Sequence, residues 1–182
     1  YGKRDLLINT KNQGHYFFEN DDITNKLNPA GPQHAMIASL TGIADYIDAL
    51  AEYHLSNPPN NLHERAIAVF ELIAQHEAIL AQKIVDFLTT KRNVRLIGPA
   101  TGAADRRVAT FSFTMNNQKS AKIPPLTANE CVGLSNGHFY AKRLIEALGI
   151  SDANDGVVRA SLAHYTSEDD VEKLISVLDR IL

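Results

Sequence analysis

The stretch GVVRASLAHYTSEDDVEKLISVLDRIL, Gly156 to Leu182, decides how the chain is read. It opens with a β-rich run, Val157-Val158-Arg159-Ala160-Ser161-Leu162-Ala163, and turns at His164-Tyr165-Thr166. A helix then starts at Ser167, whose hydroxyl can accept the free backbone N–H of Asp170. Glu168, Asp169 and Asp170 place negative charge on the positive end of the helix dipole. Val171, Leu174, Ile175, Leu178, Ile181 and Leu182 recur at helical spacing and define one apolar face. Inside the strand a lone arginine, Arg159, sits between apolar neighbours. A strand arginine in such company either pairs with a carboxylate or binds an anion, because an unpaired buried charge is costly. A guanidinium holds a carboxylate through two parallel hydrogen bonds, which lysine cannot do. Composition alone favours the structural ion pair over a substrate clamp.

Working outward, the chain has 182 residues, 45% hydrophobic and 21% charged, as in ordinary globular proteins. Its formal net charge of −3 leaves no basic excess to neutralise phosphates, so a nucleic-acid partner is not expected. No apolar run is long enough to span a bilayer, and no membrane partner is expected. The single cysteine, Cys131, cannot form an internal disulfide and fits a reducing compartment, so cytoplasm is the expected location. Cys131 itself reads as a small buried apolar residue rather than a nucleophile.

The chain opens abruptly on Tyr1-Gly2-Lys3-Arg4-Asp5-Leu6-Leu7-Ile8, the end of a strand running into a short helix, with no initiating methionine. This leads us to expect a fragment or a cleaved product. Residues 9 to 33 follow as a polar, irregular stretch, and a loop of that length is usually functional or mobile. A helix is expected from Gln33 or His34 to about His54, with Met36, Ile37, Leu40, Ile43, Ala44 and Ile47 on its apolar stripe. Asn57-Pro58-Pro59-Asn60-Asn61 breaks the chain and marks a boundary, giving expected domains 1–58 and 59–182. A long amphipathic helix runs from Leu62 to about Thr90, with Ile67, Phe70, Ile79, Leu80, Ile84, Val85 and Leu88 on its buried side.

Beyond Thr90 the period changes. Val94–Ile97 reads as a strand stopped by Gly98-Pro99, and Val108–Met115 as a second strand with alternating character. Residues 123–130 read as a loop entering a short helix capped by Thr127, with Glu130 in the capping-box position. Residues 131–134 read as a short strand, followed by a helix from about Phe139 to Leu148 with Gly149 as its C-cap. The expected architecture of this part is α/β in two layers, a small mixed or antiparallel sheet covered by helices. The histidines show no metal-ligand spacing, and neither a serine-hydrolase elbow nor a phosphate loop is present.

VVRASLAHYTSEDDVEKLISVL resembles the C-terminal signature of the class V aminotransferases, the group that contains the cysteine desulfurases. Asn93–Pro99 is similar to the family's G-[VI]-x-[LI]-[IY]-G-P strand, and Thr110-Phe111-Ser112-Phe113 to its V-[IV]-S-F strand. Leu134–Ala141 (LSNGHFYA) resembles its R-x-G-H-x-C-A loop, and Asn28–His34 its G-T-[PQ]-N segment. The resemblance implies the small C-terminal domain of a fold-type I pyridoxal-phosphate (PLP) enzyme plus a remnant of the large domain, homodimeric in full length and acting on an amino-acid substrate. It puts Arg159 on the arginine that grips the substrate α-carboxylate, with His138 and Tyr140 lining the pocket. It puts Gly31, Pro32 and Gln33 beside the cofactor phosphate, although proline replaces the family's threonine. Tyr140 stands where the family has its persulfide-forming cysteine, and Ser135 where it has the loop arginine, so persulfide chemistry by that loop is not expected. The Schiff-base lysine is expected upstream of this sequence, so the fragment alone is expected to be inactive. The rival reading is a non-enzymatic, stand-alone α/β interaction module.

Overall fold

The structure, a computed structural model, describes residues 2–12, 16–27, 31–116 and 118–182. The chain divides into two compact units, residues 1–66 and 67–182.

In the first unit α1 (Arg4–Asn9), α2 (His34–Ala38) and α3 (Leu40–His54) are followed by the opening turn of α4 (Leu62–Thr90). The helix expected over 33–54 is thus interrupted at Ser39, where the Ser39 hydroxyl donates back to the Met36 carbonyl. Of the apolar stripe of this segment, Met36, Ile37, Leu40 and Ile43 are exposed, while Ala44 and Ile47 are half-buried. Asn61 caps α4 by accepting from the Glu64 N–H, as befits a helix that must restart after Pro58-Pro59. Arg65 reaches back to the Asp48 carboxylate at 2.6 Å and to the carbonyls of Pro59 and Asn60. The division between the units consequently falls inside α4, two turns beyond the double proline.

The second unit is a two-layer α/β domain. Its sheet comprises β1 (Val94–Ile97), β2 (Thr110–Met115), β3 (Ser135–Gly137) and β4 (Val157–Ser161), in the order β1-β2-β4-β3. Every pairing is antiparallel. Strand residues alternate between faces. One face presents Phe111, Phe113, Met115, Val158 and Ala160, all buried against Leu80, Ile84, Val85 and Leu88 of α4 and Val171, Leu174 and Leu178 of α7 (Glu168–Ile181). The other face carries Thr110, Ser112, Thr114, Arg159 and Ser161 and is only half covered. On α4, Ile67, Phe70 and Ile79, expected on the buried side, are exposed instead.

Local chemistry fixes the ends of these elements. Ser167 caps α7 by accepting the Asp170 N–H at 3.2 Å, while the Asp170 carboxylate accepts the Ser167 N–H at 2.9 Å. α5 (Ile123–Ala128) begins with Pro124-Pro125 in its first turn, where the missing N–H groups would have had no partner. Thr127, expected to open that helix, is instead buried in its last turn and donates to the Pro124 carbonyl. Residues 131–134 form no strand, with Cys131 ending a turn and 132–134 irregular, and the strand lies at 135–137. α6 is confined to Lys142–Ala147, because Phe139 and Tyr140 ahead of it adopt left-handed backbone angles. Among the described residues no helix is long and apolar enough to cross a membrane.

Candidate functional site

The site is built on the open face of the sheet. In register, Arg159 of β4 stands opposite Ser112 of β2 on one side and Ser135 of β3 on the other. Its guanidinium carbon lies 3.9 Å from the centroid of the Phe139 ring, so the cation stacks on the aromatic face. Phe139 belongs to the turn that follows β3, which brings Asn136, Gly137 and His138 alongside the start of β4.

The other half-buried arginines make a useful contrast. Arg65 is paired with Asp48. Arg107 donates to the carbonyls of Pro99, Ile97 (3.3 Å) and Thr110 (3.0 Å), and burial pushes its guanidinium below the ordinary arginine value. Arg159 makes no hydrogen bond or ion pair with any described residue. The ion pair that composition favoured is therefore not formed among the described residues, and none of them gives the guanidinium's in-plane N–H fork an acceptor.

The turn beside it is built under constraint. Phe139 and Tyr140 have φ of 48° and 61°, in a region that side-chain-bearing residues rarely occupy. The Ala141 N–H donates to the His138 carbonyl at 2.7 Å and closes the turn. Nδ1 of His138 is buried and has no hydrogen-bond partner. Tyr140, expected beside the substrate, extends fully into solvent. Cys131 is exposed rather than buried, with φ of 58°, at the rim of a separate cavity of about 310 Å³. Gly31, Pro32 and Gln33 lie in the other unit, just ahead of α2, and all are exposed. Among the described residues no group of three or more His, Cys, Asp or Glu is placed to hold a metal ion.

The family model for class-V aminotransferases matches residues 64–174, which takes in the whole of the sheet and the Phe139–Arg159 stack. The chain belongs to the class-V aminotransferase family. Across its full length it is 28% identical to the aminotransferase-like protein FGM3 of Gibberella zeae, 42% of which it covers. It is 31% identical over 109 residues to a probable cysteine desulfurase of Pseudomonas putida, spanning 59% of this chain and 24% of that protein. Among solved structures, the apo cysteine desulfurase of Thermococcus onnurineus shares the fold with a TM-score of 0.54 and 22% identity, covering 66% of this chain and 29% of that one. The NifS-like protein of Rickettsia africae gives a TM-score of 0.52 at 17% identity, over 66% and 32% of the two chains. The chain thus spans less than half the length of the relatives it matches.

Class-V aminotransferases depend on PLP in general, act on amino acids and commonly form dimers. A phosphate needs converging N–H or hydroxyl donors; Gly31 has open space on its Cβ side, and the Gln33 carbonyl accepts the Ile37 N–H at 3.0 Å. Around the 138–141 turn lie the Arg159 guanidinium, without an acceptor among the described residues, and a buried His138 nitrogen without a hydrogen-bond partner among them.

Phe139 is the site residue that the sequence did not reveal. Its only signal was an aromatic at the expected start of a helix, which more often reads as core.

Proposed function

We propose that the open face around Arg159 is the substrate-carboxylate end of the active site in a PLP-dependent enzyme of the class V aminotransferase and cysteine desulfurase-like group, acting on an amino acid. The observation that carries this reading is the state of Arg159: half-buried, stacked on Phe139 and without an acceptor among the described residues. Partial burial costs a charge its hydration, and that cost is offset when a counter-anion arrives. A planar carboxylate is the anion that matches a planar fork of N–H donors.

In this reading the Ser112 and Ser135 hydroxyls flank the bound carboxylate, and His138 lines the pocket beside them. Tyr140 borders the substrate side chain from its exposed position. The cofactor supplies the electron sink for bond cleavage next to the amino group, while these residues bind and orient. Gly31, Pro32 and Gln33 stand toward the cofactor phosphate across a homodimer, and the lysine that anchors the cofactor lies outside this sequence. With Tyr140 in the loop position of the persulfide-forming cysteine, no persulfide step is assigned to that turn. The experiment is to load the intact natural protein with PLP and record its absorbance on adding a panel of amino acids. An amino-acid-dependent spectral change that Arg159→Ala weakens supports the proposal, and a response identical in wild type and variant refutes it.

A further inference from the structure

Taking Arg159 as the carboxylate clamp, we propose that Phe139 is a positioning residue that fixes the plane of the Arg159 guanidinium, and that the contact of Gly156 on Gly137 holds Phe139 there. The inference rests on the reading above but on different observations.

A free arginine side chain has many rotamers, and docking a carboxylate bidentately requires one of them. The Phe139 ring at 3.9 Å covers one face of the guanidinium. Stacking uses the face of the cation and leaves its edge N–H groups free, so it restricts rotation without occupying a donor.

The Ala141 N–H to His138 carbonyl bond closes the turn but does not by itself require two left-handed residues inside it. Left-handed angles at two consecutive residues with side chains persist only where the surroundings over-determine them. Here the determinant is a close backbone crossing. A Cβ at Gly156 would stand 2.1 Å from the Gly137 carbonyl carbon, 2.2 Å from its oxygen and 2.7 Å from the His138 nitrogen. The chain entering β4 therefore presses directly on the root of the turn. It is fixed from behind in turn. The Asp155 carboxylate accepts the N–H groups of Ser120 and Ala121 at 2.6 and 3.1 Å. The buried Ser120 hydroxyl donates to the Gly156 carbonyl at 3.2 Å, and the Asn136 amide to the Asp155 carbonyl at 3.3 Å. Strain in the turn is thus matched by a braced backbone, and the side chain that this arrangement delivers is the ring on Arg159.

The test uses the intact PLP-loaded protein and the variants Phe139→Ala, Phe139→Leu and Phe139→Tyr. Two quantities are read: KM and kcat for the best amino-acid substrate, and the NMR resonance of the Arg159 Nε–H, assigned by its loss in Arg159→Lys. The wild-type resonance is expected to carry an upfield ring-current shift. Phe139→Ala and Phe139→Leu abolish that shift and raise KM about five- to tenfold, with kcat changed by no more than about twofold. Phe139→Tyr retains both the shift and the wild-type KM. Leucine keeps apolar bulk, so a fold defect confined to alanine leaves the test intact. If Arg159→Ala raises KM while neither Phe139→Ala nor Phe139→Leu does, the clamp stands and the positioning role is refuted. If Arg159→Ala itself leaves KM unchanged, the clamp reading fails instead, and the positioning role falls with it.

Discussion

Replacing Gly156 with alanine isolates the backbone crossing on which the site's geometry depends. Two costs enter. Gly156 has φ of +66°, and a side-chain-bearing residue there loses about 1–2 kcal/mol from left-handed strain alone. The added methyl would also lie 2.1 Å from a backbone carbonyl carbon, well inside van der Waals contact, and the obstacle is main chain rather than a yielding side-chain tip. Relief requires β3 and the turn after it to retreat by more than an ångström, breaking packing that a folded core does not readily give up. The total should reach about 4 kcal/mol, in the range that marks an exceptional single substitution. Gly149 is the matched control, with φ of +72° and nothing within 4 Å of its Cβ position. Gly149→Ala therefore incurs the strain without the clash and should cost only about 1–2 kcal/mol. Urea denaturation of the two variants beside wild type measures the difference. Equal midpoints for Gly156→Ala and Gly149→Ala would refute the claim that the crossing is tight, and with it the account of what braces Phe139.

Two further predictions concern the frame around the site. Arg107→Met should cost about 2–3 kcal/mol by leaving the carbonyls of Ile97, Pro99 and Thr110 without their charged donor, and Arg107→Lys should not restore stability because one ammonium cannot reach all three; a lysine variant with the wild-type urea midpoint would contradict this. On the acid side, Glu168 is held below the usual carboxylate range by the Lys83 ammonium, Asp170 by the Ser167 hydroxyl and N–H, and Asp152 by the backbone N–H groups of Asp155 and Asn154 together with Lys119. Groups whose folded pKa is depressed contribute stability that is complete above their unfolded value, near 4, and is lost as pH falls through the lower folded value. The melting temperature should accordingly drop below about pH 4, and Asp170→Asn should shallow that drop; an unchanged acid limb in the variant would count against the α7 cap as its source.

Much of this fold was legible because it is encoded locally. The α7 cap needs only Ser167 three residues ahead of Asp170, and its apolar face needs only the helical period. β2 announced itself by alternation, and the observed burial of Phe111, Phe113 and Met115 follows that pattern. Arg159 stood out because a charge in an apolar strand is expensive. What escaped depends on contacts distant in sequence. The turn at 139–140 reads as the first turn of a helix by composition, and only the crossing with Gly156 turns its backbone left-handed. Residues 131–134 carry the apolar alternation of a strand, yet Val132 and Leu134 pack on the core while the ladder forms one step later, at 135–137. Arg107 sits in an unremarkable polar segment, since carbonyl acceptors leave no signature in side-chain chemistry. The stripes of α3 and of the early part of α4 were correctly apolar in sequence. Their exposure here shows that periodicity identifies a face without saying what covers it.

The central claim is that Arg159 receives the acid group of an amino acid, and a ligand pair tests it most directly. The intact PLP-loaded protein is titrated with its preferred amino acid and with the corresponding carboxamide, in wild type and in Arg159→Ala. Removing the anionic partner of a charge-assisted hydrogen-bonded pair is worth about 1.5–3 kcal/mol, so wild type should favour the carboxylate by roughly ten- to a hundredfold. In Arg159→Ala that preference should fall to about twofold or less. An undiminished preference in the variant would contradict the account, because the acid group would then be recognised elsewhere.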